Sequence, residues 1–108
     1  ISIKHSKVLL LGITFKEDVP DIRNSKVIDI YRQLHKFGIH VDIVDPQAHP
    51  DEVQAEFGIR STADIPNDQY DVVIFAVPHK EYLALGKTGM EELTNNNGFV
   101  YDIKQLFD

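Results

Sequence analysis

The sequence lacks cysteine, an excess of positive charge and any long apolar run. None of its 108 residues is cysteine, which excludes disulfides, thiolate metal ligands and a cysteine nucleophile within this chain. The 17 acidic residues outnumber the 11 basic ones, giving a formal net charge of −6. This balance argues against nucleic acid or an anionic membrane as the main partner, because both require a basic surface. No apolar stretch approaches the roughly 18 residues that a membrane span needs.

The five histidines also lack the spacing of a metal site. His35 and His40 are five residues apart, and neither His-x-x-x-His nor His-x-x-Glu-His occurs, so we predict no metal. His79 follows a predicted central strand, at the edge where open α/β sheets bind ligands. An ordinary loop histidine is the favoured interpretation of this residue.

What the sequence does contain is a strand, a long polar loop and a helix within residues 7–26. The apolar run Val8–Leu11 predicts a strand over Lys7–Leu11 that is buried on both faces. Gly12 opens the loop, and Asn24 or Ser25 can cap the following helix, because a short polar side chain accepts a bond from a free backbone N–H. This geometry is a common anion site in α/β proteins, and the unusual length of the loop suggests a function.

Strands and helices alternate along the remaining chain, which is typical of a parallel sheet. The pattern therefore predicts an α/β fold, a Rossmann-like three-layer sandwich with a mostly parallel sheet, formed by residues 1–108 as a single domain. The predicted helices are Ser25–Phe37, Pro50–Phe57, His79–Leu85 and Met90–Thr94, the last two separated by Gly86 and Gly89; the further strands are Ile39–Val44, a brief Ile59–Ser61, Asp71–Val77 and Phe99–Ile103, with a turn at Asn95–Gly98.

The loop after the first strand does not match the fingerprint of an independent dinucleotide site. That fingerprint has three glycines, but only Gly12 is present, and Thr14 and Glu17 occupy the other two positions. Asp45 ends the second strand later than the fingerprint expects. The pattern therefore argues against NAD binding by this domain alone, and the loop has no P-loop lysine motif either.

The loop and the second strand resemble a known family. The segment Gly-Ile-Thr-Phe-Lys-Glu-x-x-x-Asp-x-Arg-Asn-Ser, followed by a helix and by Val-Asp-Ile-Val-Asp-Pro, is similar to the C-terminal, UDP-binding domain of the UDP-glucose/GDP-mannose dehydrogenase family. The resemblance extends from Lys7 to the last strand. The sequence looks closest to the bacterial members that act on UDP-N-acetylhexosamines.

The resemblance implies a fragment of a longer, NAD-dependent nucleotide-sugar 6-dehydrogenase. Such an enzyme oxidises the sugar C6 alcohol to a carboxylate through a cysteine of its central region, so this chain is expected to bind UDP-sugar without catalysing the reaction. NAD is bound mainly by the N-terminal domain, which this chain lacks. The expected parent is a cytoplasmic bacterial homo-oligomer that serves capsule or surface polysaccharide synthesis.

The resemblance also implies roles for individual residues. Phe15 and Lys16 match the pair that contacts the substrate and its pyrophosphate, and a lysine at this loop supplies a point charge for phosphate. Arg23 matches the arginine that reaches the NAD pyrophosphate, whereas Asp21 is interpreted as positioning Arg23 or capping the helix. Lys104 stands where many members have arginine; it can supply charge to the nucleotide sugar but not a bidentate fork.

Two functional interpretations stay open at this point. The first is the UDP-sugar-binding domain of a dehydrogenase. The alternative is a non-catalytic, flavodoxin-like interaction or regulatory module, in which Lys16 and Arg23 form ion pairs with Glu17, Asp18 and Asp21 and bind no ligand.

Overall fold

Four parallel strands form the centre of the molecule. A computed structural model describes residues 6–14, 16–23 and 25–102, without the side chains of Asn96 and Asn97. The strand order is β2-β1-β3-β4, and every described pairing is parallel. The strands are β1 Lys7–Leu11, β2 His40–Val44, β3 Tyr70–Phe75 and β4 Thr94–Asp102.

In the part of the chain that the structure describes, four helices cover the sheet and complete the predicted α/β, Rossmann-like fold. One buried cluster joins one face of the sheet to the first two helices through Val27 and Val53. A second cluster joins the opposite face to the last two helices through Tyr82 and Met90. The helices are α1 Val27–Lys36, α2 Pro50–Phe57, α3 Lys80–Leu83 and α4 Gly86–Glu91.

The register places the ends of β1, β2 and β3 level with one another. Leu11 of β1 pairs with Val44 of β2 on one side and with Phe75 of β3 on the other. The residues that follow these strands therefore emerge together at the carboxyl edge of the sheet, where open parallel sheets bind ligands.

Helix α1 begins at Val27, two residues after the predicted cap Ser25, and its N-cap position is Lys26, whose side chain makes no capping hydrogen bond. The hydroxyl of Ser25 accepts a hydrogen bond from the N–H of Val27 at 3.3 Å. Asn24, the other predicted cap, lies outside the described residues. One of the free N–H groups at this helix end is thus already satisfied by the chain itself.

The predicted helix Met90–Thr94 and the predicted strand Ile59–Ser61 are wrong. Met90 belongs to α4, which begins at Gly86, and it is completely buried. Burial of this side chain offsets the cost of glycine in a helix, about 1 kcal/mol per residue. In place of the brief strand, an isolated bridge pairs Thr62 with Val44.

The predicted turn at Asn95–Gly98 lies inside β4. The register passes from Tyr70↔Thr94 to Val72↔Phe99, so β4 uses five steps where β3 uses two. The asparagine-rich segment therefore interrupts the ladder as a bulge and does not precede the strand. Ile103, the predicted last residue of β4, lies outside the described residues.

Gly12 is required by a close approach between two loops. Its φ is +101°, and a Cβ placed on it would lie 2.5 Å from the Cβ of Val77 and 2.9 Å from the Val77 backbone nitrogen. Any side chain at position 12 would push apart the loops that follow β1 and β3.

We therefore expect Gly12→Ala to lower the free energy of unfolding by about 3 kcal/mol or more, because strain adds to a backbone clash. Urea denaturation measures this loss. Gly38→Ala is the matched control: Gly38 has a φ of +74° but no atom within 4 Å of the added Cβ, so only the left-handed backbone costs about 1 kcal/mol. Equal losses in the two variants would contradict the close approach.

Candidate functional site

A buried carboxylate lies at the carboxyl edge of the sheet, directly after β2. Oδ2 of Asp45 accepts hydrogen bonds from the backbone N–H groups of Ile13 at 2.7 Å and Thr14 at 3.1 Å. The same oxygen accepts a third bond from Nε2 of His79 at 2.9 Å. Asp45 is only 1% exposed, so it joins the ends of β1, β2 and β3 inside the protein.

The second oxygen of this carboxylate fixes the backbone of the segment that leads from β2 to α2. Oδ1 accepts the N–H groups of Gln47 at 2.8 Å and Ala48 at 3.1 Å. Both oxygens of Asp45 are therefore saturated by donors of the chain. This arrangement is what a buried charge requires to be tolerated.

These contacts hold Asp45 in its ionised form. Burial by itself raises the pKa of a carboxyl group. The hydrogen bonds from His79 and from the N–H of Ile13 act in the opposite direction and outweigh burial, so the pKa of Asp45 lies below its usual value.

His79 has a defined tautomer. Its Nδ1 accepts a hydrogen bond from the backbone N–H of Asp18 at 2.9 Å and so carries no proton in this arrangement. The proton of the neutral ring is on Nε2, where it faces Asp45 and the hydroxyl of Thr14 at 3.1 Å. We call Asp45, His79 and Thr14 the edge cluster.

The interpretation of His79 as an ordinary loop histidine is wrong. The residue is completely buried, because its two ring nitrogens serve two different segments of the chain. Sequence reasoning missed the edge cluster, although a signal existed: Asp45 and His79 both follow shortly after apolar strands whose ends meet at one edge. Nothing in the sequence showed that the two strands lie on either side of the same β1.

Lys16 stands on the loop that the edge cluster supports. The hydroxyl of Thr14 donates to the backbone carbonyl of Lys16 at 2.9 Å, and Lys16 itself is exposed. Within the described parts of the chain, its ammonium group makes no ion pair with Glu17 or Asp18. The loop therefore presents a cation at the carboxyl edge of the sheet.

Arg23 lies farther along the loop and is paired with Asp21. Its Nε donates to Oδ1 of Asp21 at 3.1 Å, and 78% of its side chain is exposed. This hydrogen bond lowers the pKa of Asp21 and raises that of Arg23. Asp21 also accepts the backbone N–H of Arg23 at 2.9 Å, in agreement with the predicted positioning role.

An open groove of about 540 Å³ separates this part of the loop from α2. Acidic side chains of α2 face the single arginine across it, and a weak surface pair such as Arg23 with Asp21 can exchange its partner for a stronger anion. The groove is lined by Pro20, Asp21, Ile22, Arg23, His49, Glu52, Ala55 and Glu56.

Two of the predicted site residues, Phe15 and Lys104, lie outside the described residues. Their roles, like those of Lys16 and Arg23, stay predictions. The described residues contain no group of three His, Asp or Glu side chains that could hold a metal ion. Over the same residues, no helix is long and apolar enough to cross a membrane.

The parallel sheet, the switch of strand order beside β1 and the polar loops at its carboxyl edge define a Rossmann-like domain of the nucleotide-binding type. Residues 9–108 match the family model described as "UDP-glucose/GDP-mannose dehydrogenase family, UDP binding domain". The chain belongs to this family, and the predicted resemblance is confirmed.

Relatives and a solved structure agree with this assignment. The chain is 38% identical to the UDP-N-acetyl-D-glucosamine 6-dehydrogenases of Salmonella typhi and Pseudomonas aeruginosa, over 98% and 100% of its length. It is 37% identical over its whole length to protein CapL of Staphylococcus aureus. It spans about a quarter of the length of these curated relatives.

The solved structure is a UDP-glucose dehydrogenase from the hyperthermophilic archaeon Pyrobaculum islandicum. It matches with a TM-score of 0.62 at 29% identity, over 72% of this chain and 19% of that protein. The likeness supports the Rossmann-like fold independently of the strand-by-strand description.

We expect Asp45→Asn to lower the free energy of unfolding at pH 7 by about 3 kcal/mol, because an amide NH₂ must face backbone donors on one side or the other. The pH dependence has a defined sign. The pKa of Asp45 is lower in the folded than in the unfolded chain. Its contribution to the free energy of unfolding is therefore fully present above about pH 4 and is lost as the pH falls through the folded pKa.

Urea denaturation at pH values from about 2.5 to about 7, a range that includes the titration of carboxyl groups, tests both parts of this prediction. The wild type should lose stability on acidification more steeply than Asp45→Asn. The exposed Asp64 provides the control, since Asp64→Asn should change the free energy of unfolding by less than about 0.5 kcal/mol. Parallel acid profiles for wild type and Asp45→Asn would contradict the prediction.

Proposed function

We propose that residues 1–108 form one domain of a longer enzyme, the nucleotide-binding C-terminal domain of an NAD-dependent UDP-sugar 6-dehydrogenase. The observation that carries the proposal is the position of Lys16. It is an exposed cation on the loop after β1, at the carboxyl edge of a parallel sheet, in a chain that matches a UDP binding domain.

In this proposal Lys16 neutralises the pyrophosphate of UDP. A lysine ammonium acts on phosphate as a point charge, and the hydrogen bond from Thr14 to the Lys16 carbonyl supports the backbone that carries it. Phe15 contacts the substrate beside Lys16, and Lys104 adds charge for the nucleotide sugar.

The proposed substrate is a UDP-N-acetylhexosamine, whose C6 alcohol becomes a carboxylate in two NAD-linked steps. The names of the relatives from Salmonella typhi and Pseudomonas aeruginosa support this choice of sugar. The chain has no cysteine, so the covalent steps belong to another region and the isolated chain should be inactive. We propose a homo-oligomeric parent that serves capsule or surface polysaccharide synthesis.

The residue at the second glycine position supports the assignment of NAD mainly to another domain. In a dinucleotide fingerprint, that glycine lets the pyrophosphate approach the backbone. Here the position is Thr14, and its backbone N–H is occupied by Asp45. The contribution proposed for this chain is limited to Arg23, whose exposed guanidinium would release Asp21 and pair with the NAD pyrophosphate.

The interaction-module alternative agrees with part of the structure. It requires Arg23 to pair with an acid of the loop, which Asp21 provides. It also requires Lys16 to pair with Glu17 or Asp18, and no such pair occurs among the described residues. A lysine at the carboxyl edge that has no ion-pair partner in the described part of the chain favours the nucleotide-binding proposal.

Calorimetric titration of the 108-residue chain with UDP tests the proposal. Lys16→Ala should weaken UDP binding about tenfold or more, because a charge-assisted contact to phosphate contributes about 1.5–3 kcal/mol. The loss should shrink as salt is added, since exposed charges are screened.

Lys36→Ala is the matched control for this titration. Lys36 is exposed at the last residue of α1, at the opposite edge of the sheet, and its replacement removes the same charge. Its affinity for UDP should stay within about twofold of the wild type. Equal affinities of Lys16→Ala, Lys36→Ala and wild type would exclude the phosphate site at Lys16.

A further inference from the structure

The loop segment Lys16–Asp18 is held to the rest of the domain through Asp18. Its backbone N–H donates to Nδ1 of His79 at 2.9 Å. Its carboxylate Oδ1 accepts the backbone N–H of Lys80 at 2.7 Å. Both contacts lead to the start of α3, so the position of the loop depends on the segment that follows β3.

The conformation of Asp18 requires this support. Its φ is +60°, and among the described residues it is the sole non-glycine residue with a positive φ. A left-handed conformation costs a residue with a side chain about 1 kcal/mol or more. Without its two partners the segment would relax toward ordinary backbone angles and would carry Lys16 with it.

The imidazole of His79 is itself fixed from the opposite side. Nε2 donates to the buried Oδ2 of Asp45 at 2.9 Å, and the residue has no exposed surface. Rotating the ring by 180° would replace both nitrogens by carbon–hydrogen groups and would leave the partners of both unsatisfied. The ring can therefore satisfy Asp45 and Asp18 together in one orientation and one tautomer.

We propose that His79 is a positioning residue of the nucleotide site, acting through Asp18 on the loop that carries Lys16. The inference rests on the proposed function of Lys16. The buried Asp45 fixes the orientation of the His79 ring, and the ring fixes the backbone conformation of Asp18. This backbone in turn fixes the position from which the Lys16 ammonium group contacts phosphate. His79 itself does not touch the nucleotide.

Two amide variants separate the two contacts of the ring. The side-chain oxygen of asparagine reaches about as far as Nδ1 of histidine, so His79→Asn can still accept the N–H of Asp18 but leaves Asp45 short of a donor. The terminal amide of glutamine reaches about as far as Nε2, so His79→Gln can still donate to Asp45 but leaves the loop without its acceptor.

The proposal predicts opposite orders of stability and affinity. His79→Gln should be the more stable variant in urea, because it keeps the partner of the buried carboxylate. His79→Asn should bind UDP the more tightly, within about twofold of wild type. His79→Gln should lose about fivefold to tenfold in affinity, which corresponds to one hydrogen bond of the loop. Binding is measured at a temperature at which all variants are folded.

Amide hydrogen exchange in the absence of nucleotide provides a second readout. Exchange at Asp18 should accelerate about tenfold in His79→Gln and should stay near the wild-type rate in His79→Asn, relative to the amides of β1. His40→Gln is the control, because His40 is exposed and pairs with Asp42 at the other end of the sheet. It should change neither exchange at Asp18 nor UDP affinity.

Two results would overturn the proposal. Unchanged exchange at Asp18 in His79→Gln would show that His79 does not hold the loop. An affinity order that follows stability, with His79→Asn the weaker binder, would reduce His79 to a structural residue. If Lys16→Ala binds UDP as tightly as wild type, the proposed function fails, and the exchange result still decides whether His79 positions the loop.

Discussion

The requirement to satisfy one buried carboxylate organises this domain. Asp45 has almost no contact with solvent, and leaving a buried charge without partners costs several kcal/mol. Its five hydrogen bonds come from the loop after β1, from the segment leading to α2 and from His79 after β3. The three loops at the carboxyl edge therefore cannot take up independent conformations.

This constraint explains how a long polar loop can hold the exposed Lys16 in a defined place. Loops that bind ligands need a rigid support, yet Lys16, Glu17 and Asp18 are exposed and contribute little to the core. The loop is supported instead by the hydrogen bonds that Thr14 and His79 make to its backbone and by the close approach of Gly12 to Val77. The apolar sheet stabilises the fold, and the hydrogen bonds of the edge cluster hold the loop after β1 in one conformation on that sheet.

The same edge of the sheet is used differently in a dinucleotide-binding domain. There a glycine-rich turn exposes backbone N–H groups to a pyrophosphate. In this chain the N–H groups of Ile13 and Thr14 are occupied by Asp45, and that of Val27 is occupied by Ser25. These three N–H groups are therefore not free to bind an anion, which is consistent with the proposal that the side chain of Lys16 binds it.

The sequence by itself determined the elements whose signals are local. β1 and α2 have the predicted bounds, because an uninterrupted apolar run and the pair Pro50 and Gly58 act within a few residues. The tertiary structure alone decided the early start and the bulge of β4 and the formation of the edge cluster. The bulge in β4 exists because β3 imposes a register on it, and His79 is buried because β1 brings it within reach of Asp45, 34 residues away. Pairing between distant residues depends on strand order, and no local pattern in the sequence specifies that order.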